Sequence, residues 1–318
     1  MRIYLAPMEG MTGLLYRQVH SRCFGGVDRY YMPFISPGQD HIFTKRDLRE
    51  LDPEANSGLN AVPQLLTRQA EDFLWAAGKL AAMGYREVNL NLGCPSGTVT
   101  AKGKGAGFLA RPEELERFLE EIFSAAPVKI SVKTRLGMDD PEEFGRLLEI
   151  YNKYPISELT IHTRIRSDFY RVPARMDCFE RWWRESRNPV CYNGDLVTVG
   201  DCLKFGERFP EVGAVMVGQG LAADPALARK VKGGPGADRD TLAYFHAALY
   251  EGYCAAFGSR HNAMMRMKEL WRYHIHLFEE SEKYGKKLRK AADPAQYESL
   301  VADLFRDLAL RTEAEHRW

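Results

Sequence analysis

Eight short strand-like runs, separated by helix-patterned segments, constrain this chain more than any other feature. They are residues 3–6, 30–32, 61–66, 88–92, 128–132, 159–161, 190–192 and 214–217. Alternating or β-branched side chains give them the period of two that a strand requires, and several stop at a Gly or Pro, as at Pro7, Pro33, Gly93 and Gly218. The segments between them, such as 69–83 and 112–125, place apolar residues at three- and four-residue steps, the spacing of one helix face. Strand and helix repeated eight times predict an α/β chain folded as a (β/α)8 TIM barrel.

In such a barrel the chemistry gathers at the C-terminal strand ends, and polar or glycine residues stand there on almost every run. Pro7, Met8, Glu9 and Gly10 follow the first, and Gln64 lies in the third. Asn91 lies in the fourth, which stops at Gly93 before Cys94, Pro95 and Ser96. A thiol on a Pro-pinned loop, followed by Gly97, Gly103, Gly105 and Gly107, suits close approach to a ligand, although a small buried cysteine in a tight turn fits the same letters. Lys133 ends the fifth run, with Arg135 two residues on and so on the same face; a lone cation there suits an anionic or electron-rich ligand. His162 ends the sixth, and Arg164 and Arg166 follow it. Asn193, Gly194 and Asp195 follow the seventh run, and Gly218, Gln219 and Gly220 the eighth, where barrels commonly hold phosphate on backbone N–H groups.

Composition bounds the remaining choices. The 318 residues allow a barrel plus one small domain, and 45% hydrophobic content supports a large core. No run approaches the ~18 apolar residues of a membrane span, and the chain opens directly into a strand without a signal peptide pattern. The six cysteines form no CxxC pair and no metal-ligand spacing, so a cytoplasmic protein with reduced thiols and no metal is expected. With 44 basic and 43 acidic residues the net charge is +1, so nucleic-acid binding would have to come from local patches.

After residue 232 the chain changes character. Gly233, Gly234, Pro235 and Gly236 form a linker, and residues 240–318 are strand-poor and helix-rich, which predicts a barrel domain at 1–232 and a helical domain of four helices at 240–318. Between Arg260 and Lys290 nine Lys/Arg stand against four Glu. Arg266, Lys268, Arg272, Lys283, Lys286, Lys287, Arg289 and Lys290, interleaved with Trp271, Tyr273, His274 and Tyr284, suit phosphate neutralisation with base stacking, although taken alone a solvated helix face is the simpler reading.

Taken in order, these motifs resemble the tRNA-dihydrouridine synthase family, flavin enzymes that reduce uridine in tRNA, over the whole length. The resemblance implies a catalytic role for Cys94 and FMN contacts from Pro7, Met8, Glu9, Gln64, Lys133, His162, Asn193, Gly194, Asp195, Gly218 and Gln219. It implies RNA contacts from Asn91, Arg135 and Arg164, and from the helical domain through Lys286 and Lys287. Tyr170 completes the HxRxR…Y segment that begins at His162. It further implies a monomer in which FMN passes a hydride to C6 of a D-loop uracil, Cys94 gives a proton to C5, and NADPH restores the flavin. An ordinary thiol, pKa ~8.5, keeps its proton near neutral pH and suits that acid role.

Two departures stand out. Relatives often carry Arg where this chain has Gln219, and many carry Lys where it has Gly97, for which Lys102 or Lys104 can substitute in charge. Two rival functions share part of the pattern: a dihydroorotate-dehydrogenase-like flavin barrel acting on a free pyrimidine, and a non-catalytic RNA-binding relative. The basic tail argues against the first, and Cys94, Lys133 and His162 argue against the second.

Overall fold

The computed structural model describes residues 1–315. The strands are β1 (Arg2–Leu5), β2 (Arg29–Tyr31), β3 (Ala61–Val62), β4 (Gln64–Leu65), β5 (Glu87–Leu92), β6 (Lys129–Arg135), β7 (Leu159–His162), β8 (Val190–Asn193) and β9 (Ala214–Val217). They form one sheet in the order β3-β2-β1-β9-β8-β7-β6-β5-β4. Its two ends, β3 and β4, are consecutive in the chain and separated only by Pro63, so the sheet curls into the expected barrel. Pro63 has no N–H to give, yet its carbonyl still accepts the Asn89 N–H at 2.8 Å. The third run thus turns from β2 toward β5 at that residue, with β3 paired to β2 and β4 to β5, both parallel.

Parallel register sets which strand-end residues stand side by side. Gln64 pairs with Asn89, Asn89 with Ser131 and Asn91 with Lys133. One step further out, Arg135 pairs with His162, His162 with Asn193 and Asn193 with Met216. The opposite, N-terminal end is closed by Glu158, which accepts the Tyr4 and Tyr31 hydroxyls at 3.0 and 3.1 Å. Burial raises the Glu158 carboxyl, and its bonds to both tyrosines and the nearby Arg2 and Arg29 hold it back.

The covering helices form where the sequence supplies both a stripe and a start. Pro112 opens Pro112–Ala125 with Glu113 and Glu114 in the first turn, and Leu115, Phe118, Leu119 and Ile122 bury its inner face. Each such side chain contributes at most ~1.5–3 kcal/mol on burial. Thr198 and Asp201 form a reciprocal cap at the start of Val199–Arg208.

The chain divides into two compact units, one of residues 1–7, 29–195 and 210–216, the other of 8–28, 196–209 and 217 onward. The second unit holds four α-helices from the tail, Arg239–Phe257, Arg260–His274, Glu282–Lys290 and Pro294–Asp307. Within it Phe245 meets Tyr16 and Phe24 edge-on at 5.8 and 5.1 Å, so the first helix of the chain, Leu14–Cys23, packs with the tail. His20 gives its Nε2–H to the Pro225 carbonyl at 2.9 Å.

Candidate active site

Cys94 sits half-buried just past β5, and its placement is fixed by side chains inside the barrel. Asn91 Oδ1 accepts the N–H groups of Gly93 and Cys94, each at 3.0 Å. Backbone nitrogens can only donate, so the Asn91 amide must turn its NH2 the other way, where it donates to Gln64 Oε1 at 2.7 Å. The same logic runs on. Gln64 Nε2 donates to Asn89 Oδ1 at 2.7 Å, and Asn89 Nδ2 donates to Ser131 Oγ at 2.9 Å. A one-directional chain of four buried side chains therefore sets the orientation of the Cys94 turn. From the other side, Gly105 at φ +56° leans on Cys94, where a Cβ would stand 2.9 Å from the Cys94 carbonyl, and Ala106 N–H bonds that oxygen at 3.1 Å.

Lys133 stands beside Asn91 in the register. Its ammonium makes no hydrogen bond or ion pair with a described residue. Desolvation and then the Arg135 guanidinium push its pKa down to about 7, while Cys191 and Cys94 pull it upward. A cation held near half-protonation with no partner is ready for an electron-rich ligand.

Arg135 and Arg164 look like free cations in the sequence but are 1% and 4% exposed. Arg135 Nε donates to the Gly93 carbonyl at 2.8 Å, and a terminal nitrogen donates to the Ile165 and Phe169 carbonyls at 2.9 and 3.2 Å. Arg164 grips both Asp195 oxygens at 2.8 and 2.7 Å and donates to the Val172 carbonyl at 2.7 Å. It also donates to His162 Nε2 at 3.1 Å, which puts the imidazole proton on Nδ1. Burial, with Arg135, Lys133 and Arg164 nearby, holds His162 well below the usual histidine range and so neutral. Tyr170, 51% exposed, lies over Arg135 and Arg164 at 5.5 and 5.7 Å. Beyond β8, Asn193 Nδ2 donates to the Met216 carbonyl at 2.8 Å, Asp195 accepts the Ala174 N–H at 2.8 Å, and a side chain at Gly194 would collide with the Tyr192 hydroxyl.

In the second unit Met8 starts a tight turn, with its N–H on Thr12 Oγ1 at 2.8 Å. Gly10 there has φ +76°, and a side chain on it would collide with the Arg266 guanidinium. Gly218 precedes the short helix Gln219–Ala223, in which Gly220 presses on the Leu196 carbonyl and Val197. Lys286 and Lys287 are exposed on Glu282–Lys290 and make no ion pair with a described residue; Lys287 lies 5.8 Å from the Tyr284 ring.

Two sequence expectations of base stacking fail. Trp271 and His274 are 4% and 2% exposed, and Trp271 Nε1–H is bonded to Tyr297 at 2.9 Å, so both belong to the helical core. Lys268 is likewise engaged, on the Ala291 carbonyl at 2.9 Å. Sequence reasoning passed over Asn89 and Ser131. The signal was present as polar residues at alternate positions, Asn89 and Asn91 in β5 and Ser131, Lys133 and Arg135 in β6, all directed to the barrel interior.

Polar groups gathered at C-terminal strand ends around a fixed cysteine define an enzyme of the barrel class. The family model for dihydrouridine synthase matches residues 4–312, and the chain belongs to that family. A tRNA-dihydrouridine(16) synthase of Ralstonia nicotianae is 32% identical over 239 residues, 73% of either chain. One from Pseudomonas putida is 29% identical over 283 residues, 86% of this chain and 81% of the relative. A tRNA-dihydrouridine synthase B of Pasteurella multocida is 28% identical over 72% of this chain and 68% of its own. Among solved structures, morphinone reductase shares the barrel fold with TM-score 0.54 at 13% identity, covering 76% of this chain and 88% of that one.

Proposed function

We propose that the chain, as a cytoplasmic monomer, reduces a D-loop uridine of tRNA to 5,6-dihydrouridine, with FMN as cofactor, NADPH as reductant and Cys94 as proton donor. The observation that carries this reading is the pairing of a fixed Cys94 turn with an unpartnered Lys133 on the neighbouring strand. Lys133 fits the electron-rich pyrimidine edge of a flavin, since a desolvated ammonium gains most from such a partner. FMN, when bound, supplies the hydride for C6 of the base. Cys94 gives its thiol proton to C5 and is reprotonated from water, so one hydride and one proton saturate the C5–C6 bond.

Asn91, Gln64 and Arg135 act in this account as positioning residues that hold the turn, and Arg164 holds neutral His162 with Nδ1–H as donor. Pro7, Met8, Glu9, Asn193, Gly194, Asp195, Gly218 and Gln219 stand as proposed flavin contacts. Residues 240–318, through Lys286 and Lys287, are the proposed tRNA-binding part. The Ralstonia and Pseudomonas relatives are named for position 16, which makes that uridine the first to assay.

The test is the spectrum of the purified protein followed by turnover. Flavin absorbance, and NADPH-dependent dihydrouridine in unmodified tRNA with none from free uridine or orotate, is the expected result. A colourless protein that takes up no FMN, or turnover of free pyrimidines alone, would overturn it.

A further inference from the structure

Four cations that the reduction chemistry does not use stand near the cysteine turn: Arg68 before it in the chain, and Lys102, Lys104 and Arg111 after it. Gly103 and Gly105, at φ +65° and +56°, carry Lys102 and Lys104 outward on a loop whose base is bonded to the Cys94 carbonyl. A Cβ on Gly103 would stand 3.4 Å from Arg68 Cδ and 3.6 Å from an Arg111 terminal nitrogen, so both arginines flank the same loop. Two other segments thus meet this loop.

Their counter-charge is thin. Glu114 shares a single oxygen between Arg111 at 3.4 Å and Arg68 at 3.8 Å, all about half-exposed. Asp72, whose charge favours protonated Lys104, lies 3.3 Å from His41 Nε2 and accepts the Thr67 hydroxyl at 3.4 Å. Exposed Lys102 makes no hydrogen bond or ion pair with a described residue, and Lys104 Nζ donates to the Ser36 hydroxyl at 3.0 Å. Desolvation, with Lys102 and Arg68 nearby, already lowers the Lys104 pKa despite Asp72. Repelling cations with so little compensation gain from an outside anion, and a spread of exposed donors suits a run of phosphates better than one small ion.

We propose that Arg68, Lys102, Lys104 and Arg111 form the seat for the phosphodiester backbone next to the nucleotide presented to Cys94. This rests on the functional reading above and adds the barrel-side grip on the RNA.

Steady-state turnover on a tRNA transcript at several salt concentrations tests it, together with transcript binding measured without NADPH. Lys102→Gln/Lys104→Gln should raise KM for tRNA about ten-fold at low salt, with kcat retained. The log–log salt slope of binding should become shallower by about 0.7–0.9 per lysine removed. Lys102→Arg/Lys104→Arg should stay within about two-fold of the parent, which separates charge from folding. Unchanged tRNA affinity and slope in the Gln pair overturns the proposal. So does an equal loss in the Arg pair, or a rise in KM for NADPH instead of tRNA, which would assign the cluster to nicotinamide phosphates. A parent that binds tRNA with the expected salt slope but reduces none would sink the functional reading and leave the phosphate seat standing.

Discussion

Asn91 Oδ1 lies 3.0 Å from the backbone nitrogen of Cys94 and accepts its N–H, so the residue two positions before the turn dictates where the thiol stands. Asn91→Ala would leave the Gly93 and Cys94 N–H groups and Gln64 Oε1 without their partner. Each such loss costs about 1–3 kcal/mol when buried. The variant should melt earlier and lose roughly ten- to hundred-fold in kcat with flavin retained. A full kcat in Asn91→Ala would show that the turn is held by other means.

Lys133 gives a pH dependence with a definite sign. Its folded pKa of about 7 lies below the ordinary lysine value, so above pH 7 the free protein carries it neutral. Unfolded chain binds the extra proton between pH 7 and about 10, so the penalty of burying the ammonium is full below pH 7 and fades as pH rises. A flavin that needs the cation must bind with proton uptake above pH 7. FMN affinity should therefore fall by up to about ten-fold per pH unit there. Fluorescence titration at pH 6.5 and 8.5 checks it, and Lys133→Met should flatten the profile. A pH-independent affinity in the parent contradicts the assignment.

Three buried histidines make the second unit acid-sensitive. Burial holds His20 and His274 down to about 4 and His246 to about 3, so all three are neutral when folded. The unfolded state takes up protons as pH drops through ~6.5, and each group withdraws about 1.4 kcal/mol per unit from there to its folded value. Denaturant midpoints should fall steeply from pH 6.5 to 4.5, and the histidines should add no pH dependence from 7 to 8, where the fading Lys133 penalty acts instead. A flat midpoint between pH 6.5 and 4.5 would show that the histidines are hydrated.

The basic face of Glu282–Lys290 is testable by reversal. Lys286, Lys287, Arg289 and Lys290 are exposed and pair with no described carboxylate, so Glu at all four should leave the fold intact. Binding of tRNA should weaken by more than ten-fold and its salt slope should drop. Unchanged affinity and slope would leave this helix as a solvated face.

The barrel was legible because period-two runs and their Gly or Pro stops survive in the sequence. Cys94, Lys133 and His162 were legible because they follow such runs. β6 was harder to bound: it extends to Arg135, three residues past the apolar run, because Lys133, Thr134 and Arg135 still pair with β7. Lys133 and Arg135 on the inner face and Thr134 facing Tyr151 of the covering helix are all polar, which hides the strand pattern. The Gln64–Asn91 bond had no sequence signal, since it joins residues 27 apart that only the parallel register brings together. Arg135 and Arg164 carried the letters of free cations, yet carbonyls and Asp195 consume them. Trp271 and His274 sit among basic residues in the chain, and only the packing of Arg260–His274 reveals that they face inward.

The most direct measurement is dihydrouridine formed in an unmodified tRNA transcript by flavin-loaded protein with NADPH, for the parent and for Cys94→Ala. The account predicts product from the parent and a loss of about 10²–10⁴ in rate for the variant with its flavin still bound. Equal rates would remove Cys94 as the acid, and no product from a flavin-loaded parent would contradict the account as a whole.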